Sequence, residues 1–253
     1  MKNYISKRIN KISTLILLYI SFFYLMSCQG YRSQMENAIE VKDLCQMQNI
    51  LTEATRNGDI IKDTSDSLLL YKACLSNSPE IVNFVCKNVE TRLTEACVIY
   101  SVENGSVDIL DLLFEYDREK TTLYANRKLG WINNVNLASY LLKQGCSPFA
   151  ENACGVSFWN LDMFKYYVRE IGIENISDFW ISRICNLIVE GDCVDVLEFM
   201  IEEGLDLNSP CNSDQDITIG QAIRYPRFPC GRLPLKCADY IDKIYKSSAR
   251  GNN

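Results

Sequence analysis

A repeated segment constrains the fold more than any other feature of this sequence. Residues 190–204 read EGDCVDVLEFMIEEG, and residues 103–117 read ENGSVDILDLLFEYD. The two segments align without a gap, share Glu, Val, Asp, Leu and Glu, and are chemically similar at most other positions. Residues 131–145, WINNVNLASYLLKQG, form a third copy. Internal similarity of this kind is typical of repeat architectures, in which each unit buries its apolar side against its neighbours.

One apolar residue, which we call the anchor, marks each repeat and usually follows Asp or Glu. The six anchors are Ile50, Ile81, Ile109, Leu137, Met163 and Val196, and their spacings are 31, 28, 28, 26 and 33 residues. Segments such as DILDLLFEY and DVLEFMIEE place apolar residues at helical spacing and acidic residues on the other face. This pattern predicts an amphipathic helix at each anchor.

Each anchored helix is expected to end at a glycine. Gly58, Gly145 and Gly204 lie eight residues after an anchor, and Gly172 lies nine after one. A glycine suits the left-handed turn that commonly ends a helix. Shorter apolar stretches precede the anchored helices, for example at 68–77 and 96–105. The predicted unit is therefore a helix, a tight turn, a second helix and a glycine turn.

The order of these features resembles the ankyrin-repeat family, over roughly residues 38–245. Within YKACLSNSPEIVNFVCKN, four residues match the family pattern Ala-Ala-x-x-Gly-His-x-Glu-Ile-Val, namely Ala73, Glu80, Ile81 and Val82. EGLDLNSP, 203–210, and QGCSPFA, 144–150, look like the Gly-Ala-Asp-x-Asn linker of that family. The resemblance implies an all-α solenoid of about six stacked helix-turn-helix repeats that binds a protein partner.

The chain departs from the family pattern in two respects. The Thr-Pro-Leu-His start is missing from every unit, and the sequence contains no histidine. Three spacings, of 28, 28 and 26 residues, are well below the ankyrin period of about 33 residues. We therefore expect short or absent hairpin fingers. An irregular α-solenoid or a helical bundle is the alternative architecture.

The N-terminal residues predict export. Residues 1–27 contain Lys2, Lys7, Arg8 and Lys11, no acidic residue and an apolar run at 12–27, as in a secretory signal peptide. LMSC, 25–28, resembles the lipobox of bacterial lipoproteins. Cys28 is thus predicted to be lipidated and to hold the protein in the bacterial cell envelope, on the outer membrane or the periplasmic side. An uncleaved anchor and simple cleavage are the alternatives.

The remaining chain is assigned by composition. Residues 28–37 are predicted to form a short tether, residues 38–248 the repeat domain, and residues 249–253 a disordered tail. Within the repeat domain, 209–248 is interpreted as a C-terminal capping region. Its stretch 216–248 holds Pro226, Pro229 and Pro234 before a predicted last helix at 237–246.

Charge and composition favour a non-catalytic protein-binding role. Removing residues 1–27 takes away four basic residues and no acidic one, which leaves 22 basic and 32 acidic residues and a net charge of −10. This charge argues against nucleic acid and permits a basic protein partner. The absence of histidine excludes imidazole catalysis and histidine metal ligation. We expect no cofactor and no small-molecule substrate.

Two other functions stay open at this point. One is a secreted effector or an immunity-type inhibitor that binds a basic protein. The other is an envelope enzyme with an unrecognised carboxylate or cysteine site.

The twelve cysteines contain no Cys-x-x-Cys motif, so we expect no metal site. Export would place them in an oxidising compartment, where disulfides form if the geometry allows. One or two bridges are expected, with Cys230–Cys237 as the first candidate. The other cysteines are interpreted as small core residues, for example Cys74 at an alanine position of the repeat.

Aromatic residues of the middle units are the candidates for partner binding. Tyr124, Trp131, Trp159 and Trp180 lie near the predicted first helices, which line the concave groove of a solenoid. Core filling is the alternative interpretation of these side chains. Arg224 and Arg227 belong to a proline-rich stretch that is either an exposed binding loop or a plain connection to the last helix.

Overall fold

The computed structural model describes residues 30–63, 68–154, 160–210, 217–224 and 235–250. Every regular element within these ranges is a helix, so the prediction of an all-helical fold is confirmed. The contacts divide the chain into two compact units, residues 1–125 and residues 126–253.

The first unit consists of helix pairs. Its helices are α1 (30–40), α2 (Leu44–Arg56), α3 (Leu69–Leu75), α4 (Pro79–Asn88), α5 (Glu95–Glu103) and α6 (Val107–Tyr116). A further helix, α7 (Arg118–Leu129), contains the division between the units. The apolar stretches predicted as first helices, 68–77 and 96–105, do form α3 and α5.

Successive pairs of this unit pack in register. Helix α3 packs against its partner α4 and against α5, and α4 packs against α6. Helices α5 and α6 form the next pair. First helices therefore contact first helices and second helices contact second helices, as expected when identical units bury their apolar faces on one another.

All six anchors are buried, with exposed fractions between 1% and 5%. Five of them stand at the third position of their helix, where the amide can be capped. Asn134 accepts a hydrogen bond from the amide of the anchor Leu137 at 3.1 Å, and Asn160 does the same for Met163. Ile50 is the exception, because Asp43 caps α2 at Gln46 and so places Ile50 one turn later. Ile50 is therefore a buried anchor at a different helix position from the other five.

The predicted glycine turns are confirmed. Gly58, Gly145, Gly172 and Gly204 all have positive φ, between 76° and 105°. A side chain is strained in this left-handed region, and glycine adopts it freely.

Helix α1 corrects the predicted tether at 28–37. Residues 30–40 are helical, and Tyr31, Met35, Ala38 and Ile39 are buried. These four residues recur at the spacing of one helix face. On the exposed side, Lys72 of α3 pairs with Glu36 at 3.1 Å and Glu40 at 2.9 Å, which ties α1 to α3.

The loop between α2 and α3 is joined to the loop between α4 and α5. The amide of Asp63 donates to the Glu90 carbonyl, and the amide of Glu90 donates to the Ile61 carbonyl, both at 3.0 Å. The Asp63 carboxylate also accepts from the Thr91 hydroxyl at 2.6 Å and the Leu69 amide at 2.8 Å. The segment between α6 and α7 is a single residue, Asp117. The connection between α2 and α3, by contrast, spans residues 57–68.

The second unit has the same kind of packing in its C-terminal part. Its helices are α8 (Val135–Lys143), α9 (Leu161–Ile171), α10 (Asp178–Gly191), α11 (Val194–Glu202), α12 (Ile219–Arg224) and α13 (Leu235–Arg250), with a 3₁₀ turn at Ile173–Asn175. Helix α10 packs on α11 and α12, while α13 packs on α11 and α12. Helix α13 is longer at both ends than the predicted 237–246.

Asp192 fixes the start of this last helix. It lies in the left-handed turn between α10 and α11, with φ 47°. Its carboxylate accepts from the amides of Lys236 at 3.3 Å and Cys237 at 3.0 Å. A carboxylate at a helix N-terminus satisfies amides that have no partner within the helix.

Candidate partner-binding surface

The first helices of the first unit leave a groove on their exposed side. It has a volume of about 500 Å³ and lies on α3 and α5. We call it the α3–α5 groove; its lining residues are Tyr71, Glu95, Ala96, Ile99, Tyr100 and Glu103. Two phenol rings and an isoleucine thus stand beside two carboxylates on an open surface.

The sequence places these residues outward because the opposite face of each helix is committed to the core. Leu70, Ala73 and Cys74 of α3 are fully buried, and so are Cys97 and Val98 of α5. A short helix with one buried face presents its remaining positions to solvent. The groove is therefore a consequence of the same pattern that stacks the units.

One groove side chain also bridges the two pairs. The Tyr100 hydroxyl is 3.4 Å from the Leu75 carbonyl, so the ring lies across the space between α3 and α5.

The nearest lysine in the sequence does not bring a free positive charge to the groove. Lys72, next to Tyr71, is already paired with two carboxylates. The hydrogen bond to Glu40 is the largest cause that raises the pKa of Lys72. Lys72 stays protonated, and the two carboxylates compensate its positive charge. The charged side chains that line the groove itself are both acidic, Glu95 and Glu103.

Trp131 is the predicted aromatic that the structure leaves most open. Its side chain is 53% exposed and precedes α8. Tyr124 of α7 is half-buried. Trp159 lies outside the described residues.

Trp180 is a correction to the predicted binding set. It is only 3% exposed, and its Nε1–H donates to the Ala150 carbonyl at 3.0 Å. Its ring meets Phe149 and Phe179 edge to face, with centroids 6.2 and 5.6 Å away. A tryptophan buried among rings with its polar atom satisfied is a core residue. Its neighbour Phe179 is 59% exposed instead.

The C-terminal candidates are only partly within the described residues. Arg224 of α12 pairs with Asp242 of α13 at 2.8 Å, which joins the last two helices. Arg227 and Cys230 lie outside the described residues. Cys237 is fully buried with a free thiol, and the predicted Cys230–Cys237 bridge stays a prediction because Cys230 is among the residues not described.

The described cysteines are Cys45, Cys74, Cys86, Cys97, Cys146, Cys154, Cys185, Cys193 and Cys237, and all have free thiols. Within the ranges given above, no group of three or more acidic or cysteine side chains is arranged to hold a metal ion.

Sequence reasoning missed the α3–α5 groove because it directed attention to residues 124–182. A signal was present. Tyr71 and Ile99 occupy equivalent positions one repeat apart. Both lie on the solvent side of stretches whose other residues have the apolar pattern of core helices. Large apolar side chains at such positions expose apolar area to water, which is unfavourable. Their presence therefore indicates a surface that a partner covers on binding.

Comparison of the chain with family models, curated proteins and solved structures gave no match. In the described part of the chain, no helix combines the length and apolar character needed to cross a bilayer.

Proposed function

We propose that this protein is a lipid-anchored, non-catalytic scaffold of ankyrin-like repeats that binds a basic protein in the bacterial cell envelope. The α3–α5 groove is the observation that carries the proposal. It combines aromatic and aliphatic contact area, Tyr71, Ile99 and Tyr100, with the carboxylates of Glu95 and Glu103. Tyrosine provides a large contact at little cost in side-chain entropy.

The register of the helix pairs supports the repeat part of the proposal. First helices pack on first helices and second on second within each unit. The glycine turns recur after the second helices. In repeat proteins the first helices line the concave binding surface, and the groove lies on two of them.

Charge supports a basic partner. Residues 28–253 have a net charge of −10, and the groove carboxylates add a local acidic site. Opposite charges speed association and select partners more than they add affinity. A lysine- or arginine-rich segment with one apolar side chain fits both properties of the groove.

Site-specific photo-crosslinking tests the proposal. A photoreactive phenylalanine analogue is placed at Ala96, an exposed groove position, and at Glu53, an exposed position of α2. We expect an adduct from position 96 and none from position 53, with the crosslinked peptide rich in Lys and Arg. Adducts of equal yield from both positions would show that the partner does not bind specifically at the α3–α5 groove, which would contradict the proposal.

Reversing one groove charge is expected to weaken that interaction. Glu103→Lys places a positive charge beside a basic partner, and the affinity should fall at least about tenfold, since like charges at an interface cost on the order of a kcal/mol or more. Both Glu103 and Glu53 are exposed and lie near a helix C-terminus. A lysine at either position interacts favourably with the helix dipole, so neither substitution should destabilise its helix. Glu53→Lys is therefore the matched control and should leave binding unchanged. Equal loss in both variants would mean that only net charge matters.

The membrane anchor is tested separately. Cys28 lies outside the described residues, and we expect Cys28→Ser to release the protein from the membrane fraction or to leave an unprocessed precursor. Cell fractionation and intact mass measure this change. Cys45→Ser, at an exposed cysteine of α2, is the control and should stay lipidated. A Cys28→Ser protein with unchanged mass and fractionation would contradict the lipoprotein assignment.

A further inference from the structure

The first helix pair has two distinct ends. Helix α1 begins at residue 30 and α2 ends at Arg56, while residues 41–43 join the two helices at the other end. The side-chain amide of Asn57 donates a hydrogen bond to the Tyr31 hydroxyl at 2.6 Å, so the start of α1 lies beside the end of α2. We call this the Tyr31 end and the other the turn end. Helix α2 has 13 residues, so the two ends are about 20 Å apart.

The Tyr31 end exposes an isoleucine between two basic residues. Ile60 is 64% exposed in the segment that follows α2. Arg56 and Lys62 are exposed on either side of it, whereas Asp59, the acidic residue of this stretch, is only 8% exposed. The local charge is therefore positive, in a chain whose residues 28–253 have a net charge of −10.

The loop between α4 and α5 lies at the same end, because the amide of Asp63 donates to the Glu90 carbonyl at 3.0 Å. Its exposed charged residues are Lys87, Glu90 and Arg92, two basic and one acidic. This loop thus adds to the positive charge of the Tyr31 end.

The turn end has the opposite balance of charge. Its exposed charged residues are Glu40, Lys42 and Asp43, one basic and two acidic. Val41 at this end is 68% exposed, which is close to the exposure of Ile60. The two ends therefore present similar apolar side chains in different electrostatic surroundings.

The predicted lipid attachment lies next to the Tyr31 end. Gln29 is the single residue between Cys28 and the first residue of α1. A fully extended chain spans at most about 3.6 Å for each residue, so Cys28 lies within roughly 7 Å of the start of α1. A lipid on Cys28 would bring the Tyr31 end, and not the turn end, to the membrane surface.

We propose that the Tyr31 end rests on the phospholipid surface, with Ile60 at the boundary of the acyl chains and Arg56 and Lys62 at anionic headgroups. This inference rests on the proposed lipidation of Cys28. Burial of an exposed apolar side chain in the interface and attraction of basic side chains to anionic lipid both favour the contact. A lipid anchor alone leaves a protein free to rotate about its tether, and this second contact fixes the orientation of the first unit.

Photo-crosslinking to lipid tests the orientation. The full chain is produced in bacteria with a photoreactive phenylalanine analogue at position 60 or at position 41, purified in detergent and returned to vesicles of phosphatidylethanolamine and phosphatidylglycerol. Cleavage after Lys and Arg places position 60 in residues 57–62 and position 41 in residues 33–42. After irradiation, mass spectrometry should find a phospholipid adduct on residues 57–62 and none on residues 33–42.

The intact mass before irradiation separates failure of the orientation from failure of the anchor. A lipidated protein that forms no adduct at position 60, or that reacts with phospholipid as much at position 41, would overturn the orientation and leave the anchor in place. A protein without lipid on Cys28 would overturn both.

Reversal of one charge tests the electrostatic part. With the analogue at position 60, Lys62→Glu should lower the fraction of intact protein that carries phospholipid at least about threefold, because the new carboxylate repels anionic headgroups. Lys42→Glu makes the same change of net charge at the turn end and should leave that fraction unchanged. A similar fall in both variants would contradict the proposal, since net charge alone would then determine the contact.

Discussion

Replacing Ile109 with Asp is expected to destabilise the first unit by about 4 kcal/mol or more. Ile109 is 1% exposed and lies on α6 beside Leu110, Leu113 and Phe114, which are also buried. The substitution removes apolar packing and places a carboxylate among buried apolar side chains. Helix α6 packs on both α4 and α5, so loss of its inner face should reach the preceding pair as well.

Two further variants separate charge from packing at this position. Ile109→Val keeps the apolar character and should cost only about 1 kcal/mol. Leu112→Asp introduces the same charge at a half-exposed position of the same helix and should cost far less than the change at 109. Circular dichroism with thermal melting measures all three. An Ile109→Asp protein that melts like the unaltered chain would show that the anchor is not a core residue.

Trp180→Ala should produce the second large effect, a loss of about 3–5 kcal/mol of stability in the second unit. The indole contacts Phe149 and Phe179, and its removal leaves the Ala150 carbonyl without the indole donor. Trp180→Phe retains a ring but not the Nε1–H, so the difference between the two variants measures the packing contribution.

Trp131→Ala is the matched comparison, since the same residue type is 53% exposed there. Its stability should stay within about 0.5 kcal/mol of the unaltered chain. Thermal melting of the two alanine variants decides between core and surface. Equal destabilisation by both would place Trp131 in the core, and a stable Trp180→Ala would contradict the burial described here.

The helices and turns could be predicted because their signals are local. An apolar residue at helical spacing and a glycine eight residues later identify a helix and its end from a few neighbouring side chains. Ile50 shows the limit of this reasoning. Its spacing fits the repeat, but the position of the cap at Asp43 sets the start of α2, and that start places Ile50 one turn later.

The surface was harder to predict, because exposure depends on which neighbour covers a face. Trp180 and Phe179 are adjacent in the sequence, yet one is 3% and the other 59% exposed. Both are large aromatic residues, so residue type alone does not distinguish the buried one from the exposed one. Helix α1 was missed for a related reason: its four apolar residues are too few to stand out in a polar segment, although all four are buried.

The packing of the helices has a consequence for how the chain folds. Each main contact joins helices that are consecutive or next but one along the chain. Little chain entropy is lost before such near-neighbour contacts are made, and proteins of low contact order fold quickly. A polypeptide that crosses a membrane as an extended strand could therefore assemble pair by pair as it emerges, each completed pair serving as the template for the next. Folding of the first repeats would not have to wait for the C-terminus.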